Sequence, residues 1–159
     1  MKALVVFYSL EGHTKLLAHA VAKAAGADVL EIRPKKDIPS KGFMKFFQGG
    51  GQVIRKVKPE IHPLSKDPSG YDLLFIGTPV WVGRYAPALR TFLSQVRLKD
   101  KKIVLFAIHR GGPGNVFKHL RKSLEGNIIV DEQDFNEKKG MDKNVAEVEK
   151  WAQKVVSAF

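Results

Sequence analysis

Residues 3–8 read ALVVFY, an uninterrupted apolar run rich in β-branched and aromatic side chains, as expected of a strand covered on both faces. The polar stretch SLEGHT follows, and then Leu16, Leu17, Ala20, Val21 and Ala24 recur at helical spacing up to a stop at Gly26. The same alternation continues down the chain. Residues 28–32 (DVLEI) form a short alternating strand, 72–77 (DLLFIG) and 102–108 (KIVLFAI) have the continuous apolar character of buried strands, and 127–131 (NIIVD) begin a fifth. Helical spacing lies between and after them, over 86–96, 115–124 and 142–158, where Val145, Val148, Trp151, Ala152 and Val155 recur at three- and four-residue intervals.

Strands alternating with helices imply parallel pairing through right-handed crossovers, hence an α/β fold with helices on both faces of an open sheet. Ligands of such sheets sit beyond the carboxyl ends of the strands, near the point where strand order reverses. That directs attention to the loops after the first, third and fourth strands. One stretch interrupts the alternation. In the segment SKGFMKFFQGGGQVIRKVKPEI, Phe43, Met44, Phe46, Phe47, Val53, Ile54 and Val57 are interleaved with Lys41, Lys45, Arg55, Lys56 and Lys58. This pattern predicts an amphipathic helix broken at Gly49, Gly50 and Gly51, and a basic insert over about 38–60.

At 159 residues the chain has the length of one domain, 1–159, and its 44% hydrophobic and 27% charged composition is that of an ordinary globular protein. The formal net charge is +11, which attracts anionic partners such as phosphates, nucleic acid or acidic proteins. Much of it is local: from Arg33 to Lys58 there are eight basic residues and one acid, Asp37. Cysteine is absent, which removes disulfides, thiolate nucleophiles and Cys-ligated metals. No run approaches the ~20 apolar residues that span a bilayer, and the first residues are too short for a signal segment. A cytoplasmic protein without a membrane span is therefore expected. His19, His62 and His119 lack metal-ligand spacing, so no metal site is expected. No arrangement of Ser, His and carboxylates supports hydrolysis.

The loop from Ser9 to Thr14 joins a buried strand to a helix N-terminus, where unpaired N–H groups and the helix dipole favour an anion. Ser9 and Thr14 could add hydroxyl donors and Gly12 could let the backbone curl around a phosphate. Alternatively, the two hydroxyls merely cap the helix. The loop is neither a Walker sequence nor GxGxxG. A receiver-type phosphoacceptor domain would need acids at the ends of the first and third strands, where this chain has FYS and IGTPVW.

Taken together, SLEGHT after the first strand, DLLFIGTPVWVGRYAPALRTFL around the third and IVLFAIHRGGPGN around the fourth resemble the flavodoxin family, in order and over nearly the whole chain. The long insert is similar to one in a subgroup of single-domain flavodoxin-like proteins. The resemblance implies a flavodoxin-like three-layer sandwich with a five-stranded parallel sheet of order 2-1-3-4-5, holding FMN non-covalently. Its phosphate would lie in the loop Ser9, Leu10, Glu11, Gly12, His13 and Thr14. Glu11 departs from the family's usual hydroxyl and is expected to turn to solvent; His13 either donates to the phosphate or is an exposed first-turn residue. The ring would lie between two further loops. Trp81 matches the family's stacking aromatic, with a core tryptophan as the alternative. Pro79, Val80 and Val82 supply backbone groups and Gly83 and Arg84 continue that loop, while Tyr85 either packs or stacks. His109, Arg110, Gly111 and Gly112 would offer backbone N–H groups to the flavin carbonyls.

The family often places acids around the ring, whereas this chain offers Arg84, His109 and Arg110. A cation within roughly 5 Å stabilises anionic reduced flavin by roughly 1–3 kcal/mol, which predicts a less reducing couple. Three functions are compatible with these residues. The first is an electron carrier steered to an acidic redox protein. The second is an NAD(P)H-dependent oxidoreductase acting on quinones or small acceptors. The third is a binder of nucleic acid or acidic surfaces through the insert, disfavoured because no nucleic-acid motif accompanies the charge.

Overall fold

A computed structural model describes residues 1–37, 51 and 57–159. In chain order the elements are β1 (Ala3–Phe7), α1 (His13–Ala25), β2 (Asp28–Glu31), β3 (Leu73–Trp81), β4 (Arg84–Tyr85), α2 (Pro87–Gln95), β5 (Lys102–His109), α3 (Val116–Ser123), β6 (Ile128–Asn136) and α4 (Met141–Val156). Single 3-10 turns at Pro68–Gly70 and Glu137–Lys139 precede β3 and α4. The sheet runs β2-β1-β3-β5-β6, with β4 attached to β3 alone. With that two-residue strand set aside, this is the expected order 2-1-3-4-5. All the main pairings are parallel, and Val5, Phe75 and Val104 lie side by side across the three central strands.

Strand alternation divides the core into two layers. Leu4, Val6, Leu74, Ile76, Ile103 and Leu105 face one way, against Leu89 and Phe92 of α2 and Val116 and Leu120 of α3. Val5, Phe7, Phe75, Val104 and Phe106 face the other, against Leu17 and Val21 of α1 and Val148 and Ala152 of α4. Gly77 is the one glycine among the central strands for a packing reason: a Cβ there would lie 2.1 Å from the Phe106 ring. Gly26 ends α1 as expected, with φ 61 and its N–H bonded to the Ala22 carbonyl.

One strand end differs from the sequence expectation, and another strand is longer than the stretch that announced it. β3 does not stop at Gly77 but runs through Thr78, Pro79 and Val80 to Trp81, then turns back as β4, pairing Val80 with Tyr85 and Trp81 with Arg84. The buried Thr78 hydroxyl holds this hairpin, accepting the N–H of Ala86, the residue that starts α2. The fifth main strand, which NIIVD begins, continues as β6 to Asn136. Its sequence is polar because it is an edge strand: it needs the β5 backbone on one side only, and Phe135 is its one fully buried side chain. The bulge at Val130, between the pairs Ile103–Ile129 and Val104–Asp131, lets pairing continue past the polar stretch.

Most of the insert, and its expected broken helix at Gly49, Gly50 and Gly51, lies outside the described residues. Its two ends are described. The chain leaves at Asp37, which accepts a 2.7 Å hydrogen bond from Tyr8 Oη, and returns at Val57 and Pro59, whose carbonyls accept from Arg90 and Thr91 of α2. Pro34 and Ile61 then bridge the outgoing and returning segments. No helix among the described residues is long and apolar enough to cross a membrane.

Candidate functional site

The loops named from sequence meet at the carboxyl edge of the sheet. After β1 the chain turns sharply at Gly12, whose φ of 99 is a conformation suited to glycine, and enters α1. Ser9 Oγ accepts the Gly12 N–H at 3.1 Å. No side chain caps the helix, so Ser9 and Thr14 do not serve as its caps. The N–H groups of His13, Thr14 and Lys15 have no acceptor within the helix, and Thr14 is buried at this open end. A Cβ placed on Gly12 would meet nothing within 4 Å. The backbone is thus open beside Gly12 at a helix N-terminus, where unpaired amides favour an anion. Leu10 is partly buried against the α2 side of the core, and Glu11 is exposed.

The second loop is the β3–β4 hairpin. Val82 and Gly83 form its tip with φ values of 52 and 67, the left-handed pair of a tight hairpin turn. A β-branched residue is strained in that region, and Val82 is 61% exposed. Trp81 is half-buried, its ring edge-to-face on Tyr8 at 5.6 Å between centroids. Tyr8 is buried, and burial together with the Asp37 carboxylate pushes its phenol far above the usual range. Tyr8, Trp81, Pro34, Asp37 and Pro59 line one small crevice, so the ends of the insert abut the hairpin. Tyr85 is the packing residue of the two alternatives: its ring is buried and its hydroxyl lies 2.8 Å from Ser123 Oγ.

The third loop, His109 to Gly114, touches the second. Asn115 N–H donates to the Gly83 carbonyl at 3.0 Å, and a Cβ on Gly114 would lie 2.5 Å from Gly83 Cα. Only glycine permits backbones this close. Above Gly111 and Gly112, in contrast, there is open space. The two loops are thus joined at Gly83 and Gly114, with open space beside Gly111 and Gly112.

The three basic groups expected around a ring are in three different states. Arg84 lies on β4 and is partly buried. Arg110 is 71% exposed at its side chain and pairs through Nε with Glu137 Oε2 at 3.0 Å. His109 is buried, held between Asp134 and the Gly112 amide.

Glu137, Asp134, Tyr8 and Thr78 were not singled out by the sequence. Glu137 stands in the turn after β6 and joins two loops: Oε1 is 3.1 Å from His13 Nδ1, off the hydrogen-bond direction, while Oε2 holds Arg110. Burial alone would raise the Glu137 carboxyl, but the contacts and charges of His13 and Arg110 outweigh it and hold the group below the usual carboxylate range. The Glu11 carboxylate comes within 4.8 Å of both the His13 and Glu137 ligand atoms, although their separation in sequence gave no metal-ligand pattern. Extending the fifth strand by alternation to Phe135 would have placed Glu137 at the carboxyl edge and flagged it.

The open parallel sheet, its order reversal beside β1, and three loops meeting there define a flavodoxin-like α/β protein. The chain belongs to the flavodoxin family, whose model matches residues 2–155. Similar solved structures include a flavoprotein from Lactobacillus acidophilus in complex with FMN (TM-score 0.73, 23% identity, 89% of this chain and 97% of that one). Candidate flavoproteins from Bacteroides eggerthii (0.76, 25%, 92% and 97%) and Bacteroides uniformis (0.78, 22%, 94% and 96%) are alike in fold.

The Glu137 link has a pH signature. A carboxyl held low in the folded state contributes stability above its unfolded pKa and loses it as pH falls through the folded value, so the link weakens as pH falls below the ordinary carboxylate range. Urea unfolding over that fall in pH is expected to show a smaller loss of stability for Glu137→Gln than for the native protein. Equal losses would show that Glu137 contributes nothing.

Proposed function

We propose that this protein binds FMN and carries electrons between protein partners. The observation that carries the reading is the junction of the hairpin with the glycine loop at Gly83 and Gly114, open above Gly111 and Gly112 and adjacent to the uncapped start of α1. The FMN complex of the Lactobacillus acidophilus flavoprotein, with the same fold, supports it. Bound FMN supplies reversible one- and two-electron chemistry.

The residues present fit that group. The α1 amides and the Ser9 and Thr14 hydroxyls would hold the phosphate around Gly12. Trp81 would lie against the ring, with Pro79, Val80, Val82 and Gly83 offering backbone groups to its edge and Gly111 facing it from the opposite loop. Arg110 offsets the negative charge that Glu137 brings near the phosphate, and Glu11 adds a second carboxylate within 4.8 Å of that of Glu137. The Gly112 N–H is already given to His109, which leaves the remaining loop amides for the flavin carbonyls.

This arrangement also refines the expected electrostatics. His109 accepts a backbone N–H at Nδ1 and so does not act as a cation in this geometry. Arg110 is compensated by Glu137. Arg84, for which no acidic partner is seen among the described residues, is left as the main positive influence on the ring. The couple is less reducing than one ringed by acids, and the net charge of +11 steers the protein to an acidic redox partner.

FMN titrated into the cofactor-free protein, followed by flavin fluorescence, is expected to bind one-to-one, with Thr14→Ala and Trp81→Ala each weakening it. No saturable binding would overturn the proposal. Loaded protein is expected to oxidise NAD(P)H slowly and without acceleration by a quinone; fast quinone-dependent oxidation would make it an oxidoreductase instead. In a redox titration, Arg84→Ala should lower the midpoint potential more than Arg110→Ala does, and unmoved potentials would remove Arg84 from the ring's environment.

A further inference from the structure

His109 is the last residue of β5, its ring is 6% exposed, and both nitrogens are engaged. Nδ1 lies 2.9 Å from the backbone nitrogen of Gly112, which can only donate. Nε2 lies 2.7 Å from Asp134 Oδ2, on the strand beside it. A backbone N–H requires a lone pair on Nδ1, and a carboxylate is best served by a proton on Nε2. The two partners together therefore select one neutral tautomer of the ring.

The loop above this ring, Arg110-Gly111-Gly112-Pro113-Gly114, contains three glycines. Glycines visit many conformations, and ordering such a loop at the moment of binding lowers affinity. Three contacts fix it in advance. Arg110 is tied to Glu137, Gly114 is packed on Gly83, and between them the Gly112 N–H, at φ 118, is drawn down onto His109. The first is exposed at the Arg110 side and the second is a contact between backbones. The bond to His109, whose side chain is buried, is the polar anchor that reaches the loop from beneath.

We propose that His109, oriented by Asp134, is a positioning residue that holds the Gly111–Gly112 backbone in the conformation that receives the flavin ring. It acts through Gly112, from beneath the loop, and its own nitrogens are turned to Asp134 and to Gly112. This role rests on the reading that FMN binds against this loop.

Two substitutions separate the two nitrogens. The amide of His109→Asn reaches the place of Nδ1 and can still accept the Gly112 N–H, while His109→Gln reaches the place of Nε2 and keeps only the Asp134 contact. Hydrogen exchange of the Gly112 amide in FMN-free protein is expected to stay slow in the Asn variant and to become fast in the Gln variant. The loss of one buried hydrogen bond should weaken FMN on the order of tenfold in the Gln variant, with the Asn variant near the native value. The midpoint potential should move with the Gln substitution alone.

If the native protein binds FMN and the two variants match each other in Gly112 exchange and affinity, the inference is overturned while the proposed function stands. If the native protein binds no FMN, both fall. Should either variant fail to fold, long-range proton–nitrogen correlation of the native His109 ring decides the same point. It should report Nε2 protonated and Nδ1 bare, and the opposite tautomer would overturn the inference.

Discussion

The pairing of β3 with β1 on one side and β5 on the other sets the place of every candidate group. From β1 the chain crosses through α1 to β2 on one face, and from β3 through α2 to β5 on the opposite face. Neighbouring loops that leave a sheet toward opposite faces must part, and the parting makes a crevice at the carboxyl edge. Because the central strands are apolar on both faces, a register slip of one residue would put each side chain into the wrong layer. The depth of the crevice is therefore fixed by packing far below it, including the fit of Phe106 over Gly77.

Above that frame, the loops are held by a few specific contacts rather than by bulk apolar surface. Glu137 links the start of α1 to Arg110, Asp134 and His109 hold Gly112, and Gly83 meets Gly114 backbone to backbone. The acids in this set come from the end of β6 and the turn after it, the part of the sheet farthest in sequence from the phosphate-type loop. Their placement has an electrostatic consequence. Positive charge that composition alone would assign to the ring is partly cancelled locally, although the molecule as a whole is strongly basic.

The fold was legible wherever burial dictated composition. Residues 3–8, 72–77 and 102–108 must be apolar to lie between two helical layers, and the three-loop pattern led directly to the family. What was not legible depended on partners distant in sequence. Pro79 and Gly77 read as the start of a loop because each disfavours a strand, yet the hairpin and the Thr78 hydroxyl carry β3 onward to Trp81. DEQDFN carries little strand signal because an edge strand has little to bury. Glu137 and Asp134 could not be assigned before that strand was extended, and His109 showed as a basic group near a ring rather than as the neutral support of Gly112. The insert was legible in composition only.

The proposed grip of FMN by three loops at the carboxyl edge of β1, β3 and β5 is tested most directly by recording backbone amide shifts of isotopically labelled protein as FMN is added. Large changes are expected at residues 9–15, 79–84 and 110–114 alone, with α4 and the amino-terminal ends of the strands unmoved. Changes centred on the basic insert, or on the open face of β2, with those three loops silent would contradict it.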